Sequence, residues 1–249
     1  PVIKEILADP STVVTRGSTF DNAENLPAKF IEQLRDKYEG TRLGRQELNA
    51  EVLDDVPGAL FTRDMIDTAL VKAAPDLVRV VVAVDPSGTR GDSDKGDSIG
   101  IVVAGKGVDG LAYVLADRTC KLSPDGWGRR AVEAYHEFKA DRIVAERNFG
   151  GAMVEMVIRT ADPKVAYREV TASRGKIARA EPVAALYEQS KVKHVGGFAD
   201  LEDQMCAMTS EGFMGEGSPD RADALVWAIT ELMLNKQAPV AASGTFVRR

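Results

Sequence analysis

The chain has 249 residues, 44% of them hydrophobic and 28% charged, with a formal net charge of −6. That describes an ordinary soluble globular protein with a substantial core, either one large domain or one domain with an appendage. It excludes a membrane-spanning chain, because no apolar run approaches ~20 residues. The N-terminus lacks the layout of a signal peptide, so a cytoplasmic protein is expected. Two cysteines, Cys120 and Cys206, stand far apart with no C-x-x-C and no nearby His, which argues against a zinc site or a disulfide framework. The start at Pro1, without Met, suggests a piece of something longer.

In chain order, "NLPAKFIEQLRDKYEGT" (25–41) reads as a helix. Pro27 suits its first turn, Phe30, Ile31, Leu34 and Tyr38 are its apolar positions, and Gly40 is its stop. A second helical stretch, "LGRQELNAEVL", follows. Near "KAAPDLVR" the period changes, which places a boundary at residue 75 after a mainly helical segment, 1–74. "RVVVAVD" (79–85), "IGIVVAG" (99–105) and "LAYVLAD" (111–117) then read as three short strands of a meander. A helix over 123–139 follows, with Ser123 as cap and Pro124 in the first turn. Beyond it come the strand "DRIVAE", a helix from about Gly151, the strand "VAYREV", the helix "IARAEPVAALYEQS", the strand "VKHV" and two more helices. In the last of these, Ser218 is the expected cap and Pro219 the opening residue. The domain closes at 236, and "QAPVAASGTFVRR" (237–249) reads as a flexible tail. Antiparallel strands followed by alternating helix and parallel strand predict a mixed α/β sheet flanked by helices.

Charge is unevenly spread. Residues 165–197 hold six basic and three acidic side chains, whereas 198–223 hold seven acidic and one basic. Two readings are open: two solvated faces, or a basic track beside an acidic, metal-collecting site. On the second reading Lys176, Arg179 and Arg174 are the DNA-phosphate candidates, although Lys176 and Arg179 also fit solvated helix-start cations. His194 reads as a polar residue at a strand edge, and Trp127 and Trp227 as helix anchors in the core.

Asp85 ends the first strand of the meander, and Glu146 ends "RIVAE". A strand reached through a helical crossover usually runs parallel to its neighbour. Adjacent strands would therefore set these carboxylates side by side at the carboxyl edge of the sheet, where open α/β folds place ligands. Two such acids repel unless a cation holds both ionised. In "SPDRADALVWAITELM", Asp220 and Asp223 fall on one side of a helix whose apolar stripe runs through Ala222, Leu225, Val226, Ile229 and Leu232, and Asp223 borders that stripe. An all-oxygen set suits Mg²⁺ or Mn²⁺, and two such ions could serve phosphodiester hydrolysis. Taken alone, Asp85 also fits a turn before Pro-Ser-Gly.

The ordered set "VVAVDPSG", "GDSIGIVVAG", "ADRIVAERNFGG", "ARAEPVAALYEQ" and "SPDRADALVWAITEL" resembles the C-terminal nuclease domain of the large terminase subunit of tailed bacteriophages and phage-like gene-transfer particles. Upstream, "VTRGSTFDN", "NLPAKFIEQL" and "YEGTRLGRQEL" resemble the segment that joins that domain to the terminase motor, so the resemblance covers nearly the whole chain. It implies a ribonuclease H-like fold over 75–236, with 1–74 as the linker segment from the motor domain, partly packed on it. By the same resemblance Asp85, Glu146 and Asp223 are the metal-binding acids, Asp220 matches a nearby position carrying His or Asp, and Asp97 falls in a hairpin beside the site. The implied activity is a two-metal endonuclease that cuts concatemeric double-stranded DNA with little sequence preference. Its implied partners are a portal protein and a small terminase subunit, its place is the host cytoplasm, and no membrane is involved. The chain has no G-x-x-x-x-G-K-[ST], so ATP hydrolysis is not expected of it. "DPSGT" also resembles the phosphate loop of actin-like and sugar-kinase folds, which need two such domains. A non-catalytic module docking on DNA or portal, and a Holliday-junction resolvase of the same fold, are the other rivals.

Overall fold

The computed structural model describes residues 6, 9–15, 17–38, 44, 48–50, 56–86, 98–147, 151–172 and 174–235. The chain forms two compact units, Pro1–Asp54 and Asp55–Arg249. In the first, Ser18 and Asp21 build a reciprocal capping box on a 3₁₀ turn, Thr19–Asn25. Helix α1, Ala28–Tyr38, starts directly after Pro27 and buries Ile31. The stretch 43–53 lies largely outside the described residues, as does the tail 237–249.

The second unit opens with α2 (Arg63–Ala69), held at its start by the Thr62 hydroxyl accepting the Met65 N–H. The strands are β1 (Leu70–Val71), β2 (Leu77–Asp85), β3 (Gly100–Gly107), β4 (Ala112–Asp117), β5 (Arg142–Glu146), β6 (Tyr167–Val170) and β7 (Val192–Val195), in the spatial order β1-β7-β4-β3-β2-β5-β6. β2, β3 and β4 form the expected antiparallel meander, and β5, β6, β7 and β1 join parallel to their neighbours. This is the mixed sheet the sequence predicts. It begins earlier than the change of period at 75, because β1 pairs with β7 through Leu70 and Val71.

The sheet is the middle of three layers. Alternation splits β2 cleanly. Val80, Val82 and Val84 pack with Trp127, Ala131, Val154 and Ile158 from α3 (Pro124–Glu137) and α4 (Gly151–Ala161). Val81 and Ala83 pack with α5 (Lys176–Glu188), α6 (Ala199–Cys206) and α7 (Asp220–Ile229) on the other face. Burial on both faces is why the strand reads as an unbroken apolar run. α3 starts as predicted, with the Ser123 hydroxyl accepting the Gly126 N–H and Pro124 in the first turn. A small hairpin, β8 (Met208–Thr209) and β9 (Gly212–Phe213), precedes α7.

Two local expectations are corrected. His194 is fully buried, because β1 covers what would have been the edge beside β7. Its ring lies between the Tyr187 hydroxyl, 2.7 Å from Nε2, and Glu202, which also accepts the Phe198 N–H. Ser218 does not cap the last helix: α7 starts one residue later, at Asp220, and its first turn closes through Asp223 N–H to the Pro219 carbonyl.

The start of α7 is pressed hard onto β3. A Cβ on Gly100 would lie 1.9 Å from the Asp220 carbonyl oxygen, so this approach requires glycine. Gly100 pairs with Asp85 across the β2–β3 ladder. Gly100→Ala is therefore expected to push α7 away from the end of β2 and to lower the melting temperature, which a melting scan of the variant beside the parent checks.

Candidate active site

Register decides where the acids go. Val81 pairs with Arg142 and Ala83 with Val144, so one more step along each parallel strand puts Asp85 beside Glu146. By parity both carboxylates face the α5–α7 layer. There α7 presents Asp223 from its first turn. Asp85, Glu146, Asp220 and Asp223 are each 3% exposed or less. The predicted acids thus converge from two strand ends and one helix. Asp97 lies outside the described residues.

Buried carboxylates on this scale are costly unless balanced. Lys176, the first residue of α5, supplies part of the balance: its ammonium lies 2.5 Å from Asp223 Oδ2 and donates to the Ser218 hydroxyl at 3.2 Å. The Lys176 contact is an ion pair, and no other side chain hydrogen-bonds the Asp223 carboxylate. Arg179, one helical turn on, donates Nη1 to Glu146 Oε1 at 3.1 Å and approaches Asp223 at 3.6 Å. Its guanidinium also stacks on the Trp227 ring, 4.7 Å from the centroid, while Trp227 Nε1 donates to Glu146 Oε2 at 2.8 Å. Glu146 is accordingly held at both oxygens. Asp85 is not, since its Oδ1 is buried with no hydrogen-bond partner.

The titrations follow this geometry. Burial pushes the Asp85 carboxyl well above the usual range, and Asp223, Glu146 and Asp220 push it further, against the pull of Lys176. Burial raises Asp223 as well, with Lys176 and Arg179 opposing. Burial works to lower the Lys176 ammonium, but Asp223, Asp85 and Asp220 together hold it above its ordinary value.

Whether these residues fit a metal is decided by the donors. All are hard oxygens, and the bare, buried Asp85 Oδ1 is an atom that a divalent cation would satisfy. Among the described residues no three His, Cys, Asp or Glu side chains are grouped closely enough to hold one ion as they stand, and Lys176 and Arg179 are paired with the acids. The donor chemistry fits, with the two cations acting as internal counter-charges.

The family profile of the terminase RNaseH-like domain matches residues 82–232, which takes in all four acids. The chain belongs to this terminase family. None of the curated protein sequences matches it. Among solved structures, the terminase domain resembles the large terminase nuclease of thermophilic phage G20c, with 13% identity and a TM-score of 0.50, covering 70% of this chain and 98% of that one. The nuclease domain of the large terminase subunit gp2 of bacterial virus Sf6 matches with 14% identity and a TM-score of 0.52, over 69% and 98% of the two chains. The large terminase of a second thermophilic bacteriophage matches with 12% identity and a TM-score of 0.52, over 87% of this chain, which spans only 55% of that protein. At these identities the likeness is one of fold, and the fold is that of terminase nuclease domains.

Within the terminase domain three placements differ from the sequence reading. Lys176 and Arg179 are neither free helix-start cations nor an outward track; they point into the acids, because α5 packs its first turn over the carboxyl edge of the sheet. Of the three basic candidates only Arg174 is exposed with no acidic partner among the described residues. Three of the seven acids in the run 198–223 are committed to partners away from the site. Asp200 and Asp203 pair with Arg221 and Arg63, and Glu202 serves His194. Trp227 is more than a core anchor, since its indole N–H orients Glu146. The signal available for it was the seven-residue step from Asp220, two helical turns along the same face.

Proposed function

We propose that this chain is a divalent-metal-dependent endonuclease that cuts concatemeric double-stranded DNA during genome packaging, with little sequence preference. The portal protein, a small terminase subunit and a motor ATPase belong to the same reading, with the host cytoplasm as the place of action. Membership of the terminase family supports it. The observation that carries it is the meeting of Asp85, Glu146 and Asp223 at one buried sheet edge, with Asp85 Oδ1 bare. Two relatives of this fold, the Sf6 domain and the human cytomegalovirus terminase nuclease domain, were solved with manganese.

In this mechanism Asp85, Glu146 and Asp223 would hold two Mg²⁺ or Mn²⁺ ions, with Asp220 in support from the helix start. When bound, such ions activate water and stabilise the leaving oxygen of a phosphodiester. The chain's own contributions are separable from that. Trp227 and Arg179 fix the Glu146 carboxylate in one orientation. Lys176 and Arg179 keep the acid cluster charge-balanced in the absence of other cations. Arg174, exposed beside the site, supplies positive charge that attracts DNA phosphates to the edge where the acids wait.

Supercoiled plasmid incubated with Mg²⁺ or Mn²⁺ should become nicked and then linear. EDTA should stop this, and Ca²⁺ should support binding without turnover. Cleavage that persists in EDTA would contradict the metal requirement. A gel shift with no cutting under any ion would assign a docking module, and a strong preference for four-way junctions would assign a resolvase.

A further inference from the structure

Behind the acid cluster lies an open cavity of about 400 Å³, within the size range of small-ligand sites. Three of its lining side chains are arginines, Arg168 from β6, Arg174 from the loop before α5, and Arg179 from α5. Its apolar lining includes Pro182, Trp227 and Leu234. We propose that this cavity is a nucleoside-phosphate subsite, with arginines for the phosphate and the apolar wall for sugar and base. The proposal rests on the nuclease reading, in which its occupant is a nucleotide of the strand flanking the cut.

Charge balance favours an anion here. The acid on the lining, Glu169, is paired with Arg147 at 3.3 Å. Arg168 binds Glu231 with one side of its guanidinium and keeps 45% of its side-chain surface open. Arg174 has no ion-pair or hydrogen-bond partner among the described residues. An unpaired guanidinium beside a second, partly free one offers forked donors that match phosphate oxygens. An organic cation would meet this surplus of positive charge, and inorganic phosphate alone would leave the apolar wall unused.

The cavity is also tied to the acids. Its Arg179–Trp227 wall is the pair that holds Glu146 from behind, so one partition separates the occupant from the candidate active site. This gives the test a built-in reporter. Trp227 lines the cavity, whereas Trp127, the other tryptophan, is buried in the layer on the opposite face of the sheet.

The full chain in EDTA should be titrated with inorganic phosphate, thymidine 5′-monophosphate and a short DNA duplex while tryptophan emission is recorded. Thymidine monophosphate should change the emission saturably. Arg174→Ala, an exposed position that leaves the core intact, should weaken that binding tenfold or more, and Arg168→Ala should act in the same direction. The same change with the duplex assigns the site to the DNA strand, and a change with monophosphate alone assigns it to a free nucleotide. No emission change with either, equal affinity for inorganic phosphate, or an unaffected Arg174→Ala overturns the subsite. Because the measurement needs neither metal nor cleavage, a chain that cuts plasmid but binds no monophosphate loses the subsite alone. One that binds monophosphate and never cuts loses the nuclease reading alone.

Discussion

Asp85→Asn is expected to lower plasmid cleavage at least about a thousandfold, roughly 4 kcal/mol of barrier, while making the metal-free protein more stable at alkaline pH. The first effect follows from its place: its Oδ1 is the buried oxygen with no other partner, at the end of β2. The second follows from its titration. Burial, then Asp223, Glu146 and Asp220, hold the folded carboxyl well above its ordinary value. The folded chain therefore keeps a proton that the unfolded chain has already released. Stability falls as pH rises from the unfolded value near 4 up to the folded one, and the loss persists above it. Asparagine cannot ionise. The variant should match the parent near pH 4 and pull ahead as pH rises, in melting scans run in EDTA. Mg²⁺ should raise the parent's melting temperature through linkage and move the variant's much less. Near-normal cleavage by the variant, or a variant less stable than the parent at pH 8 in EDTA, would remove Asp85 from the site.

The sequence already contained what this expectation needs from Asp85 and Glu146. Each ends a short apolar strand, and strand period and crossover direction suffice to set them side by side. Asp223 was legible because a helix with a clear apolar stripe fixes which neighbours lie at its border. The counter-charges were not legible. Nothing local to "SRGKIARA" says that the first turn of α5 lies over the sheet edge instead of facing water; that depends on how three helices share one face. His194 was misplaced for a related reason: two residues, Leu70 and Val71, too short a run to read as a strand, are enough to cover β7. The acidic run was misleading because charge density along the chain does not reveal partners. Asp203 meets Arg63 from α2, 140 positions away.

Glu231→Ala should be the most destabilising single change away from the acids, by about 3 kcal/mol. Its carboxylate, 1% exposed, sits on a π turn, Thr230–Leu234, that continues α7. Arg79 donates to it at 2.6 Å, Arg168 at 2.9 Å and Asn235 at 2.9 Å, and Arg142 approaches at 3.5 Å. The three arginines come from β2, β5 and β6. The register pairs Val81 with Arg142 and Val144 with Arg168, and Arg79 is two residues before Val81, so all three share one face. Glu231 thus ties the far end of α7 across three strands while Asp223 works at its near end. Its removal leaves three cations converging on a buried gap. Their side chains are 20%, 37% and 45% exposed, so water relieves part of the repulsion, which keeps the expected cost at the lower end for a broken buried pair. For a unit of this size 3 kcal/mol corresponds to a fall of about 6–12 °C in melting temperature. Glu231→Gln keeps the shape and one acceptor, and should lose about half as much. A drop below about 2 °C for Glu231→Ala would show that the arginines are balanced by solvent and that α7 is held by its apolar face alone.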